Sequence, residues 1–313
     1  MLDCAIIGGG PAGLTAGLYA TRGGLENVTL FEMGMPGGQI TKSSEIENYP
    51  GFFDSTKTGL DFMDEWQNQC FHFGLKHVMK KVEQIVKTGE HFTLILEDGE
   101  SVEALTVIVG TGSVPKRANF KGEDEFYGKG VSTCATCDGF FYKNKPVTVL
   151  GGGDTALEEA LFLSNICSDV YVVHRRESFK VAPPTLERVR KKENIHLLMD
   201  SIIEEAYGGM MGLDGVNIKN TKTNEITKMD NTGLFVFVGL NVRNEVLKDE
   251  QGKFICAMNE SGQVIVDLRM RTNIKGLFVA GDLRIDAPKQ VVSAAGDGSI
   301  AALQVLTYLQ ELE

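Results

Sequence analysis

The stretch VSTCATCDGFF, Val131 to Phe141, carries two cysteines two residues apart, Cys134 and Cys137, with Asp138 directly behind them. Residues of these types at this spacing admit three chemistries: two ligands of a metal clamp, a structural disulfide, or a disulfide that opens and closes during a reaction. A structural zinc site normally draws on four ligands. The six cysteines, Cys4, Cys70, Cys134, Cys137, Cys167 and Cys256, include no second C-x-x-C. His72 and His77 lie far from the pair, in a segment patterned as an amphipathic helix. No metal is expected, and the other four cysteines read as small apolar packing residues.

Two glycine turns point to nucleotide chemistry. Gly8, Gly10 and Gly13 in GGGPAG make G-x-G-x-x-G between an apolar strand and a helix. The first glycine permits a tight turn, the second admits a pyrophosphate, and the third lets helix and strand pack closely. The helix, opening at Pro11 and Ala12, offers free N–H groups to phosphate. A glycine turn without a ligand is the plainer alternative. Glu32, 19 residues past Gly13 at the end of the next strand, argues against it: a carboxylate there accepts from a ribose hydroxyl and repels a 2′-phosphate, so FAD or NAD is favoured over NADP. In GGGDTA the pattern recurs with an alanine ending, as Gly151, Gly153 and Ala156, with Asp154 and Thr155 leading into the helix. Where the first copy has Glu32, the second has His174, Arg175 and Arg176. Cationic side chains there suit a 2′-phosphate, against the alternative of a solvated basic strand end, and NADPH is assigned to this copy. One site with phosphate recognition and one without imply electron transfer from NADPH to a second, tightly held dinucleotide, for which FAD is the natural candidate.

The elements holding these residues follow from an internal repeat. CAIIGGGPAGLTAGLYA and PVTVLGGGDTALEEALFLS each read as strand, turn and helix. Each is followed by a second strand and, later, by a strand-rich stretch with turn residues such as Asp98-Gly99. This predicts an α/β fold with two Rossmann-like nucleotide-binding domains, each with a small β appendage. The last segment brings a strand ending at Gly281-Asp282 and a long helix, but no fingerprint, so it is expected to complete the first domain. The second domain is then an insertion, giving boundaries at 1–115, 116–243 and 244–313. A length of 313 residues also favours two domains. The 36 glycines against 8 prolines fit tight turns better than a low-complexity linker. A net charge of −11 gives no basic field for nucleic acid. No apolar run approaches the roughly 18 residues of a membrane span. Asp3 stands where a signal peptide would carry positive charge, so a soluble cytoplasmic protein is expected. In that reducing compartment a close cysteine pair is more often catalytic or metal-binding than a staple.

Together with CATCDG, the ordered motifs GGGPAG, PGGQI, IENYPGF, GGGDTA, HRR and AGD closely resemble the low-molecular-weight, bacterial-type thioredoxin reductases over essentially the whole length. The resemblance implies that Gly37, Gly38, Gln39, Asn48, Thr111 and Gly112 lie along FAD. It implies that Asp282, after Gly281, hydrogen-bonds the flavin ribityl chain. Lys289-Gln290-Val291 stands where the family has Arg-Gln-Ala, with the helix beginning near Val291 aiming its positive end at the flavin ring. Lys180 replaces an arginine common among relatives, which keeps the charge but loses the planar fork. For the cysteines the resemblance implies a working disulfide. Cys137 would face the flavin, Cys134 would attack thioredoxin, and Asp138 would be the acid–base group, although a helix cap or turn is the blander role for it. Such an enzyme is an NADPH-dependent thioredoxin-disulfide reductase, expected to be a homodimer whose two domains rotate against each other. The rival readings are a flavin reductase for another redox protein, peroxiredoxin or glutaredoxin-like, and a redox sensor of the same fold without turnover.

Overall fold

LDCAII is apolar without alternation, the pattern of a strand covered on both faces. In the structure, a computed structural model, Leu2–Ile7 has a parallel neighbour on either side. Residues 1–313 are described apart from Ser44, Glu45, Phe53, Ser55, Lys180 and Glu313. The chain divides into two units, one formed by 1–114 with 242–313 and the other by 115–241. Helices among the described residues are α1 (Pro11–Arg22), α2 (Gly59–His72), α3 (Ala135–Asp138), α4 (Asp154–Leu163), α5 (Pro183–Arg190) and α6 (Val291–Gln310). None of them is long and apolar enough to cross a membrane.

In the first unit, parallel strands run in the order Lys76–Val78, Val28–Phe31, Leu2–Ile7, Ser101–Val109, with Leu277–Val279 also paired to Ser101–Val109. The long strand Ser101–Val109 has two roles. Its first half pairs antiparallel with His91–Leu96 in a meander, and its second half joins the parallel sheet. The appendage is thus continuous with the nucleotide-binding sheet. α1 starts with Pro11 at a position where its missing N–H costs nothing. It packs against α6 through small residues: a Cβ at Gly298 would overlap the Ala12 carbonyl oxygen. α2 opens on a capping box formed by Thr58 and Asp61. It carries Trp66 into a cluster with Tyr49 and Phe62.

In the second unit five parallel strands run Ile195–Leu198, Val170–Val173, Val147–Gly151, Leu234–Phe237, Val131–Ser132. A separate antiparallel sheet, Ser201–Gly209, Gly212–Asn220 and Ile226–Met229, is its appendage. Met210 and Met211 stand exposed at the tip of its first hairpin.

Candidate functional site

The short edge strand Val131–Ser132 lies parallel to Leu234–Phe237, with Ser132 opposite Phe235, and Phe237 in turn opposite Gly151. Chain leaving Ser132 therefore reaches the carboxyl end of the sheet, the same end as the glycine turn at Gly151. Open parallel sheets bind ligands at that end. Cys134 caps α3 there: its Sγ accepts from Cys137 N at 3.2 Å, and Cys134 N donates to Ser132 Oγ at 3.0 Å. Cys134 and Cys137 are joined in a disulfide with Cα atoms 5.3 Å apart. Cys137 is exposed and Cys134 half-buried. An amide aimed at Cys134 Sγ favours a thiolate at that atom once the bond is opened.

Asp138 ends the same helix and is half-buried. Desolvation pushes its carboxyl above the usual carboxylate range, and a hydrogen bond with Ser132 pulls part of that shift back. It therefore keeps its proton to higher pH than an exposed aspartate. Burial, with Asp138 and Cys167 adding to it, pushes the neighbouring Tyr142 hydroxyl up to about 12. Phe140 and Phe141, just past Gly139, are 63% and 43% exposed. The other four cysteines are free and buried, with thiols pushed up to about 12 (Cys4, Cys70) or about 11 (Cys167, Cys256) by desolvation. At such values they are poor nucleophiles. Among the described residues no group of three His, Cys, Asp or Glu is placed to hold a metal.

The second glycine turn is built for close approach. A Cβ at Gly151 would lie 2.5 Å from Phe237 O and 2.6 Å from the Ala156 Cβ, whereas one at Gly153 would meet nothing within 4 Å. Gly153 thus leaves an open face at the start of α4. Asp154 Oδ1 accepts from Ala182 N at 3.0 Å, which ties that helix start to the loop before α5, while Thr155 is exposed. Arg175 and Arg176 are exposed at the strand end. His174 behaves differently from the third cation expected. Its ring packs against Gly152, stacks on Phe179 at 5.0 Å and brings Nε2 to 3.1 Å from Ser178 O. Burial holds its pKa below the ordinary value, and the two arginines push in the same direction. Its charged form is disfavoured, and the packed ring shapes the loop. Lys180 lies outside the described residues.

In the first unit, Gly8 sits at φ +102°, and a Cβ there would be 2.6 Å from Gly110 O. A Cβ at Gly13 would overlap Gly8 O, so helix and strand touch there through backbone alone. A Cβ at Gly10, by contrast, would meet nothing closer than Gly38 Cα at 3.9 Å. Gly37 N donates to Gly9 O at 2.7 Å, which lays the turn of Gly37, Gly38 and Gln39 along this mouth. The Glu32 carboxylate accepts from Gly9 N at 2.8 Å and Met33 N at 2.9 Å, so it is fixed at the strand end. Asn48 Nδ2 donates to Gln290 Oε1 at 3.1 Å, joining residues 242 apart in sequence. Thr111 Oγ1 donates to Arg243 O at 2.5 Å, and Gly112 O accepts from Arg243 N at 3.0 Å. Lys289 takes φ +59°, the turn that precedes Gln290, the N-cap of α6, and Val291, its first residue. Asp282 follows Gly281 in a short 3₁₀ turn. Burial pushes its carboxyl up to about 6; Lys289 and Arg284 pull it down, and Asp297 pushes it up.

This donor set fits a dinucleotide: an open glycine at a helix start, a carboxylate fixed at the ribose position, and a desolvated carboxyl at a second strand end. Three contributors were not found in the sequence. Ser132 supports both Cys134 and Asp138, and an isolated serine carries no signal for that. Asp297 and Arg284 form a buried ion pair beside Asp282. The signal was there to be read: Asp297 is the one charged residue in the otherwise small and apolar run VVSAAGDGSIAALQVL.

Residues 2–298 match the family model described as pyridine nucleotide-disulphide oxidoreductase. The chain is 58% identical over 310 residues to a thioredoxin reductase of Helicobacter pylori, covering 99% of each. It is 39% identical over 316 residues to one of Peptoclostridium litorale, covering 99% of this chain and 98% of the relative. Its fold matches the crystal structure of thioredoxin reductase from Streptococcus pyogenes with a TM-score of 0.92 at 36% identity, covering 99% of each chain.

Proposed function

Since the chain belongs to the pyridine nucleotide-disulphide oxidoreductases and, within them, to the thioredoxin reductases, we propose that it uses NADPH and FAD to keep Cys134 and Cys137 reduced and that Cys134 carries out the exchange with thioredoxin. The observation that carries this reading is the Cys134–Cys137 disulfide, set at the carboxyl end of a nucleotide-binding sheet with a raised-pKa aspartate on the same turn. When bound, FAD supplies two-electron exchange between a nicotinamide and a disulfide. Gly8, Gly10, Gly13, Glu32, Gly37, Gly38, Gln39, Asn48, Thr111, Gly112, Asp282 and Gln290 would hold it, with Pro11, Ala12 and Val291 opening the two helices that face it. Gly151, Gly153, Asp154, Thr155 and Ala156 would hold NADPH, with Arg175, Arg176 and Lys180 on its 2′-phosphate and His174 holding their loop.

With the pair reduced, the Cys134 thiolate attacks one sulfur of the thioredoxin disulfide. A mixed disulfide forms and one thioredoxin thiolate leaves. Cys137, as thiolate, then attacks Cys134 Sγ; the Cys134–Cys137 bond re-forms and the second thioredoxin thiolate leaves. Two electrons have passed to thioredoxin, and each departing sulfur needs a proton. Asp138, whose burial favours the protonated form, is placed to give one and to be reprotonated from solvent. Phe140 and Phe141 offer the exposed apolar surface on which a protein partner can seat.

The cysteine pair and the second fingerprint share one unit, and FAD is assigned to the other. Both must reach the same flavin, so rotation of one unit about the two connecting segments belongs to the proposal. A homodimer in the cytoplasm is also proposed. The face for a second copy would be the cleft of about 320 Å³ on the first unit, where Tyr19, Tyr49, Trp66 and Val292 lie.

The test is optical. Anaerobic NADPH should bleach the yellow protein, and oxidised thioredoxin should restore the colour. Bleaching without thioredoxin-dependent recovery would move the assignment to a reductase of another redox protein. Cys134→Ser and Cys137→Ser should each keep the bleaching and lose thioredoxin reduction.

A further inference from the structure

Asp297 lies in the second turn of α6, and its side chain is 8% exposed; that of Arg284, which faces it, is 16% exposed. The two are joined in a fork: Arg284 Nε donates to Asp297 Oδ2 at 2.6 Å and Nη2 donates to Oδ1 at 3.0 Å. The same Oδ2 accepts from Gly281 N at 3.1 Å, and Arg284 Nη1 donates to Ile285 O at 2.9 Å. One carboxylate therefore fixes both ends of the turn Gly281–Leu283, which carries Asp282 between them. The turn is wedged as well as tied. A Cβ at Gly281, which sits at φ +75°, would lie 3.1 Å from the Ala12 Cβ of α1 and 3.6 Å from the Ala294 Cβ of α6. Gly298, the residue after Asp297, brings α6 onto the backbone of α1 at Ala12 and Ala16.

A buried ion pair seldom stabilises a fold more than apolar residues of the same volume would, because taking both charges out of water costs about as much as their attraction returns. What a fork of this kind does provide is geometry, since two parallel hydrogen bonds fix distance and orientation together. Here the geometry fixed is that of Asp282 relative to the starts of α1 and α6, the two helices assigned to face the flavin cofactor.

We propose that Arg284 and Asp297 are positioning residues of the cofactor site, holding Asp282 where it can bond FAD between α1 and α6. The proposal rests on the reading of the first unit as the FAD-binding one. Neither side chain touches the reacting atoms; both act through the turn.

The experiment uses the full-length holoenzyme and follows release of FAD on dilution by the rise in flavin fluorescence, with the visible spectrum of the bound flavin recorded for each variant and a thermal melt taken on the same full-length chain stripped of flavin, so that weaker FAD binding does not itself lower the melting temperature. Asp297→Asn leaves Arg284 buried without its charge partner, so both effects are expected: a lower melting temperature, and FAD release faster by roughly tenfold or more. Arg284→Met with Asp297→Asn leaves no charge buried. It is expected to melt close to wild type and still to release FAD roughly tenfold faster, with a shifted flavin band. Arg284→Lys, which keeps charge but not the fork, should fall between wild type and the double variant. Wild-type release and an unshifted spectrum in the double variant would overturn the proposal. So would release rates that simply follow melting temperature across the series, which is the pattern of a purely structural pair. Wild-type protein that binds no FAD would instead refute the FAD reading itself, before the clamp is tested.

Discussion

Replacing Asp282 with asparagine separates what the residue costs the fold from what it does for the cofactor. Burial pushes its carboxyl from an ordinary 3.8 up to about 6, a shift of roughly two units at about 1.4 kcal/mol each, or about 3 kcal/mol. Asp282 keeps some contact with solvent, so this figure is a ceiling. The folded-state pKa is raised, so the associated stability is fully present below about pH 4 and is lost as pH rises through about 6. Above that the flavin-free fold carries the whole penalty of a desolvated carboxylate. The asparagine in the Asp282→Asn variant does not titrate. In flavin-stripped full-length protein the two chains should therefore be equally affected near pH 4, and the variant should gain up to about 3 kcal/mol over wild type by pH 7.5. Trp66, the single tryptophan, lies in the same unit as Asp282 and reports its unfolding in urea. With FAD present the order should reverse in the other readout: the variant should bind FAD more weakly, having exchanged an anionic acceptor for a neutral amide. A wild-type-minus-variant difference that stays constant from pH 4 to 7.5 would refute the burial argument, whatever happened to FAD.

Asp138→Asn should slow thioredoxin reduction by about 10²-fold while leaving NADPH-driven bleaching in place. Wild-type turnover should fall as pH rises through the elevated pKa of Asp138, and that limb should vanish in the variant, as a steady-state pH profile would show. Arg175→Ala and Arg176→Ala should each raise the KM for NADPH by about 10- to 100-fold and leave that for NADH unchanged, from the roughly 1.5–3 kcal/mol of a charge-assisted hydrogen bond. His174→Ala should weaken both nucleotides alike, because the packed ring shapes the loop and does not pair with phosphate. Phe140→Ala with Phe141→Ala should raise the KM for thioredoxin about fivefold or more while a small disulfide is reduced as before.

The parts of the molecule legible in the sequence are those in which backbone geometry forces a residue type. A Cβ at Gly13 would overlap Gly8 O, so the third glycine of the turn is compulsory, and the glycine spacing by itself announces strand, turn and helix. CATCD is equally local: the two sulfurs and the carboxyl belong to one helical turn, so spacing alone brings them together. What escaped the sequence depends on contacts made at a distance or on the direction a side chain takes. Asn48 meets Gln290 only after the sheet is assembled. His174 reads as a cation beside two arginines, but Gly152 leaves a hollow into which its ring turns, and burial disfavours the charged form. Asp297 sits on a helix whose small residues pack on α1, and nothing in its local sequence shows that Arg284 comes round to meet it.

The order of the two sulfurs is tested most directly by trapping. A reduced Cys137→Ser variant lacks the resolving thiol, so mixing it with oxidised thioredoxin should accumulate a mixed disulfide that peptide mass spectrometry places on Cys134, and the matching Cys134→Ser variant should accumulate none. An adduct on Cys137 of the Cys134→Ser protein, with none on Cys134 of its counterpart, would contradict the assignment of the attacking sulfur.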